Sequence, residues 1–289
     1  MGLAEVVVSG LMLGGMYALI ALGFNLQYGV ARILNLAYGE FLMTACFAAF
    51  WMFTLWHINP LVGLVLSVPV TFGANWLIYR FLMTPLVRRS RSRGQLEAET
   101  ILSTFGLLFL IQGSATSAFT GNLRNYEFLA FPVHVVGFTF AANRLLAFAV
   151  AVLVGGAIYA VLRFTRTGMA VRAVADDPGA AGLVAIDVDR FSALAFGAGG
   201  ALVAVAGTLT SMFLTFDPSI GVTFTMKALV VVIMGGVGNV LGGLAAGFLL
   251  GLAESLCSYV VDPGLTLAVA FALFLAVLLV RPRGLFGSA

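Results

Sequence analysis

The sequence predicts an all-α fold: a polytopic transmembrane helical bundle of eight to nine hydrophobic segments, some of them broken by glycine. Three observations predict it. First, 61% of the 289 residues are hydrophobic and 9% are charged, against roughly 25% charged in a soluble domain. Fifteen basic and twelve acidic residues cannot cover the surface of a water-soluble chain of this length, and mean hydropathy is +1.08. Second, long apolar runs recur between short polar breaks. Third, arginine gathers in alternate breaks. No polar stretch exceeds about thirty residues, which excludes a catalytic domain of ordinary size. The whole of 1–289 is expected to form one transmembrane domain, with a cytoplasmic loop at about 164–190.

A helix crosses the bilayer core with about 20 apolar residues. The first run, 6–28, follows Glu5 with no Lys or Arg before it; it reads as a retained span, because a secretory signal begins basic. Spans follow at 37–56, 61–83, 99–120, 144–163, 191–215 and 264–280. These runs are too long and too uniformly apolar for barrel strands of about ten alternating residues. Arg88, Arg89, Arg91 and Arg93 crowd the break after the third span, Arg163, Arg166, Arg172 and Arg190 flank that after the fifth, and Arg281 and Arg283 follow the last. Placing these breaks in the cytoplasm puts Arg32 and Arg80 there too, and leaves Arg124, Arg144 and Lys227 as the exceptions. This positive-inside bias sets the N-terminus outside and the C-terminus inside. That parity requires 223–261 to hold one inward and one outward segment. The first, 226–235, is too short to cross alone and reads as a half-helix broken by Gly235, Gly236 and Gly238.

Glycine, at 34 residues, is the next signal. Gly10, Gly14 and Ala18, then Ala193, Gly197 and Ala201, then Gly243, Gly247 and Gly251 recur at four-residue spacing, which lines small residues on one helix face for close packing. The run Gly-Gly-Val-Gly-Asn at 235–239 needs more, since each glycine weakens a helix by about 1 kcal/mol. Non-helical backbone at membrane depth survives only where protein or a watery cavity satisfies it. A matching break runs from Gln27-Tyr28-Gly29 to Asn35-Leu36-Ala37-Tyr38-Gly39. Transporters place substrate paths beside such interrupted helices.

Intramembrane ionisable residues carry a functional hypothesis by default. Glu40 stands at the entry of the second span, either as an interfacial carboxylate paired with Arg32 or as a substrate contact. Glu254 lies deeper, and either serves a functional role or pairs with a neighbouring helix or a partner subunit. Lys227, the only lysine, either snorkels to the interface or neutralises Glu254. Asn25 and Gln27 either bond across helices or line a path.

The break at 164–190 is patterned as connecting loops are not. Thr167 is placed to cap a short helix with Met169, Ala173 and Val174 on one face. Asp176, Asp177 and Pro178 form a turn, and a second alanine-rich helical turn ends before Asp187. Two short amphipathic helices read as a docking surface. Four acids there, Asp176, Asp177, Asp187 and Asp189, argue against a helix lying on anionic lipid. Cys46 and Cys257 sit in apolar runs, and neither His57 nor His134 has neighbours at metal-ligand spacing, so no metal site is expected. No Walker loop, His-Glu-x-x-His or Gly-x-Ser-x-Gly occurs, so the chain is read as a non-enzyme without its own nucleotide site. The net charge of +3 expresses orientation in the bilayer, not nucleic-acid binding.

Three patches carry a resemblance to a known family. They are Tyr17–Gly23 through Arg32–Glu40, then Thr167-Gly168-Met169-Ala170-Val171-Arg172-Ala173 with Asp177 and Ile186-Asp187-Val188, and Lys227-Ala228 with Gly235-Gly236-Val237-Gly238-Asn239 and Gly242. Over nearly its whole length the sequence resembles the inner-membrane permease subunit of the branched-chain amino acid ABC importers, the shorter of two permease types. The resemblance implies transport of branched-chain amino acids in a bacterial inner membrane. It also implies a second permease subunit, two ATPase subunits that hold ATP and Mg, and a periplasmic substrate-binding protein. It places Thr167, Gly168, Arg172, Asp176, Asp177, Ile186 and Asp187 in the ATPase-coupling loop. Asn35, Tyr38, Glu40, Lys227, Gly235, Gly236, Gly238 and Asn239 fall in the translocation path or its hinge. The family usually has histidine at Tyr38, glycine at Ala185 and serine at Asn239. Alanine suits position 185 if its torsions are ordinary. Tyr38 changes the chemistry beside the path, which leaves urea or short amides as an alternative cargo. An ion-coupled secondary transporter is the more distant alternative.

Overall fold

The computed structural model describes residues 2–90, 92–135 and 138–287; Arg91 of the basic cluster lies outside them. Among the described residues eight helical stretches are long and apolar enough to cross a membrane. In chain order they are α1 (Leu3–Ala31), α2 (Tyr38–Trp56), α3 (Pro60–Ile78) running through a π turn into α4 (Thr84–Arg89), α5 (Arg93–Phe119), α6 (Ala142–Phe164), α9 (Val188–Ser211), α11 (Val240–Val260) and α12 (Thr266–Val280). The shorter α7 (Arg166–Asp176) and α8 (Pro178–Leu183) fill the loop before α9, and α10 (Ile220–Gly235) precedes α11. An antiparallel ribbon of β1 (Pro132–Val135) and β2 (Phe138–Ala141) joins α5 to α6.

The helix starts follow from side chains that satisfy the free first-turn amides. Asn59 accepts from Leu61 N ahead of Pro60, Asp187 from Arg190 N, and Asn239 from Gly242 N. Thr165, not Thr167, caps α7 by accepting from Gly168 N at 3.0 Å. That shift changes the buried face of α7 to Gly168, Val171 and Val174, and Met169 is exposed. The phase is set at Gly168, where a Cβ would land on the backbone of Val161 and Leu162. The absence of a side chain lets α7 press on the last turn of α6.

Helix α1 is the axis of the bundle. Gly10, Gly14 and Ala18 meet Gly247 and Gly251 of α11 backbone to backbone, and Gly23 meets Gly199 of α9. Gly197 packs on Phe72 of α3. The small-residue stripes thus become interfaces of α1 with α11 and of α9 with α3. Helix α2 starts partway along α1, not at its end. The Tyr38 hydroxyl donates to Ile20 O at 2.8 Å, so residues 32–37 fold back alongside α1. Helix α10 starts at Ile220, six residues before the expected 226, and stops at Gly235 in the glycine run.

These close approaches make a sharp prediction. A Cβ at Gly251 would strike the backbone of Gly14 and Gly10, whereas at Gly106 of α5 nothing lies within 4 Å. Gly251→Ala should lower thermal stability in detergent by about 1–3 kcal/mol through overpacking. Gly106→Ala should be neutral or stabilise by about 0.5–1 kcal/mol through helix propensity.

Candidate functional site

Both sequence breaks lie against the second half of α1, and each is held by one of its amides. Gln27 Nε2 donates to Phe196 O at 2.8 Å and Asn75 Oδ1 at 3.2 Å, and its Oε1 accepts from Asn35 Nδ2 at 3.0 Å. Asn35 Oδ1 in turn accepts from Ala37 N. This buried network ties the 32–37 segment to α1, α3 and α9. Two residues earlier, Asn25 Oδ1 accepts from Gly238 N at 2.6 Å and Asn25 Nδ2 donates to Asn239 O at 2.9 Å. The rest of the glycine break is satisfied by the chain after α12. Leu285 N donates to Met234 O, Phe286 N to Gly235 O, and Asn239 Nδ2 to Phe286 O. Gly236 and Gly238 adopt φ of 101° and 80°, so glycine is required at both.

Two cavities lie at opposite ends of one cleft between α1, α6 and α11. The first, about 620 Å³, is lined by Tyr28 of α1 and Arg32 just past its end, Tyr159 and Arg163 of α6, Arg172 and Asp176 of α7, and Val237–Leu241. The second, about 460 Å³, is lined at the other end by Val6–Met16 positions of α1, Arg144 and Ala147 of α6, and Glu254–Tyr259 positions of α11. Twelve residues of α1 separate Met16 from Tyr28, roughly 18 Å of helix. Over that length Ala147 and Ala151 of α6 are buried in the core cluster with Leu19 and Leu22, and the Phe148 ring covers Gly15. The cleft is therefore closed in its middle.

The ionisable groups at membrane depth take two forms. Lys227 Nζ reaches Glu254 Oε2 at 2.9 Å and the Tyr17 hydroxyl at 2.7 Å, while that hydroxyl donates to Glu254 Oε2 at 2.6 Å. The lysine also lies 4.8 Å from the Tyr17 ring centroid. Of the two readings open for Lys227, neutralisation of Glu254 is the one the structure gives. Glu40 is not paired with Arg32. It is 0% exposed and both its oxygens are without a hydrogen-bond partner among the described residues. Its carboxyl fits against Gly221, where a Cβ would come within 2.6 Å of Oε1. The first turns of α2 and α10 meet there.

Arg32 instead serves the loop. Its guanidinium donates to Ala175 O and Asp176 O, both at 3.0 Å, capping the C-terminal end of α7. Helix α7 is therefore fixed to α1 by Arg32 and to α6 by the Gly168 contact. Asp177 caps α8 by accepting from Gly179 and Ala180 N. Ile186 packs with Ala181, Val171 and Val174 under the loop, and Asp187 starts α9. Of the residues singled out in the sequence, Arg172, Asp176, Gly238 and Asn239 share the first cavity. Lys227 supports the floor of the second through Glu254. Asn35, Tyr38 and Glu40 are buried between helices and line neither. Arg32 and Asn25 were the residues underrated by sequence reasoning, the one counted only for its charge, the other one of two amides in a span.

A family model described as "Branched-chain amino acid transport system / permease component" matches residues 6–278. The chain belongs to this family. It is 32% identical over 291 residues to the high-affinity branched-chain amino acid transport system permease protein LivH of Escherichia coli strain K12, covering 96% of this chain and 94% of that protein. The Salmonella typhimurium LivH is 31% identical with the same coverage. The permease protein BraD of Pseudomonas aeruginosa is 30% identical over 97% of this chain and 94% of its own. No solved structure matches.

Within this permease component, Ala185 does not have ordinary torsions. Its φ is +60°, and Ile186 N donates to Ala181 O while Ala185 N donates to Gly182 O. This is a Schellman close of α8, where glycine is the usual residue at the left-handed position. Ala185→Gly should therefore stabilise the permease by about 1 kcal/mol, read as a higher melting temperature in detergent. Arg32→Ala should leave the fold intact but loosen α7 from α1. It removes about 1 kcal/mol of linkage and lowers the coupled transport rate about fivefold, checked by uptake in membranes carrying equal amounts of the two proteins.

Proposed function

We propose that this chain is the membrane-spanning permease subunit of an ATP-driven importer for branched-chain amino acids, forming half of the translocation pathway. The observation that carries the reading is the cleft. The face of the loop that bears Arg172 and Asp176 and the glycine break at 237–239 line one cavity. A push on α7 therefore reaches the wall of the pathway through Arg32 and α1, and through Gly168 and α6. The family match across residues 6–278 and the names of the relatives support the cargo.

In this reading the arginine-rich end faces the cytoplasm, the N-terminus lies outside and the C-terminus inside a bacterial inner membrane. Helices α7 and α8 dock on one of two ATPase subunits, which hold ATP and Mg; this chain contributes no nucleotide site. A second permease subunit completes the pathway, and a periplasmic binding protein delivers the substrate. ATP binding draws α7 with α1 and α6, opening one cavity as the other closes, in the alternating manner of transporters with broken helices. The amide alternative rested on Tyr38, which is fully buried with its hydroxyl on Ile20 O and lines neither cavity.

Two measurements test this. In a cysteine-free background, Asp262→Cys should react on intact cells with a membrane-impermeant thiol reagent and Asp177→Cys should not; the reverse pattern overturns the orientation. Proteoliposomes carrying the assembled complex should accumulate radiolabelled leucine only with ATP. Accumulation by this chain alone, driven by a proton or sodium gradient, would overturn the reading.

A further inference from the structure

The chain after α12 is built into the wall of the first cavity. Pro282 has no N–H with which to continue the helix, and Gly284, at φ +85°, turns the chain back onto α10. A Cβ at 284 would come within 2.7 Å of Gly236 N and 2.8 Å of Ile233 O, so the absence of a side chain lets the two backbones meet. Leu285 N then donates to Met234 O at 2.8 Å and Phe286 N to Gly235 O at 3.2 Å. These are among the last carbonyls of α10, which the helix itself leaves free. Asn239 completes the attachment with both ends of its amide. Its Oδ1 accepts from Gly242 N at 2.9 Å and starts α11, while its Nδ2 donates to Phe286 O at 3.0 Å. Gly284 is buried and Leu285 packs against the main core. Phe286 is 50% exposed and lines the first cavity with Gly287, Val237–Leu241, and Arg172 and Asp176 of α7.

We propose that residues 284–287 are a strap with a fixed root and a releasable end, clasped by Asn239, whose seating restrains the ATP-driven movement of the first cavity. The root is Gly284 and Leu285, held by burial and by the 2.8 Å bond to Met234 O. The end is Phe286 and Gly287, held by the longer bond to Gly235 O and by the Asn239 amide at an exposed position. There water competes for both partners, and the net worth of a hydrogen bond is small. Release does not undo the break, because Gly238 N and Asn239 O stay on Asn25. While seated, the strap joins α12 to the break between α10 and α11, so movement of the break must carry α12 with it. Once the end lets go, the break is free to follow α1 through Asn25. That is the helix whose end grips α7 through Arg32. The proposal rests on the importer reading above and adds regulation to it: a seated strap holds the resting complex still and keeps idle hydrolysis slow.

The test uses the assembled complex in nanodiscs. Amide hydrogen exchange of the tail, read residue by residue, reports seating, because a bonded amide exchanges in proportion to its opening. In the wild type without nucleotide, Leu285 and Phe286 should both be protected. Trapping with ATP and vanadate should speed exchange at Phe286 about fivefold, the effect of losing one net hydrogen bond, and leave Leu285 protected. Asn239→Ser keeps a capping oxygen for α11 and removes the clasp. It should show the fast Phe286 exchange without nucleotide, and raise ATP hydrolysis in the absence of the binding protein about threefold. Truncation after Leu285 keeps the root and should raise hydrolysis by a similar factor. Phe286 exchange that is the same with and without trapped nucleotide, or hydrolysis unchanged in both variants, overturns the strap and leaves the importer reading standing. If the shortened chain does not assemble, Asn239→Ser decides alone. A wild-type complex that neither hydrolyses ATP nor takes up leucine overturns the importer reading, and the regulatory role of the strap falls with it.

Discussion

The structure depends on one constraint: backbone polar groups that leave a helix inside the bilayer must find partners within the protein. Two stretches break the helical pattern, and both are repaired by α1. Gln27 anchors the first through Asn35, and Asn25 takes both a donor and an acceptor of the second. These amides are two residues apart on one helix, so the two breaks are held at nearly the same depth. The tail after α12 closes the remaining groups of the second break. Helix α1 can do this because Gly10, Gly14, Ala18 and Gly23 line its contacts with α11 and α9. Glycine and alanine bring α9 and α11 close enough for short amides to reach across.

The same helix gives the loop its mechanical connection. A short helix on a membrane surface transmits nothing if it is tethered by flexible chain. Here α7 is clamped at its C-terminal end by Arg32 and seated at its start by the Gly168 contact with α6. Both clamped helices, α1 and α6, line the cavities at the two ends of the cleft. Displacement of α7 is then displacement of the cleft walls, with no need for a long chain of intermediary contacts. The strained Ala185 is one point where this lever gives up stability. Its left-handed close turns the chain from α8 into α9 while Ile186 stays packed below.

Much of this was legible because membrane constraints write themselves into composition. Span positions, the half-helix ending at Gly235 and the arginine-rich end follow from run length, glycine clustering and charge placement. The stripes at Gly10 and Gly247 announced close packing, though not which helices would meet. Register was harder to read. The cap on α7 lies at Thr165, two residues before the threonine that the pattern favoured, because the fit of Gly168 against α6 decides the phase. Glu40 was harder still. Sequence places it near Arg32, but the fold-back at 32–37 carries it up to Gly221 and away from the surface where such pairs form. A six-residue excursion at membrane depth has no hydropathy signature, so what it carries inward stays hidden until the tertiary structure is known.

The Lys227–Glu254 pair shows how charge is accommodated between α10 and α11. A largely buried ion pair adds little net stability, because the desolvation of both ions offsets their attraction. Its arrangement here is uneven: one carboxylate oxygen holds the lysine and the tyrosine, and the other holds nothing. Stability alone would favour either full satisfaction or an apolar replacement of similar volume.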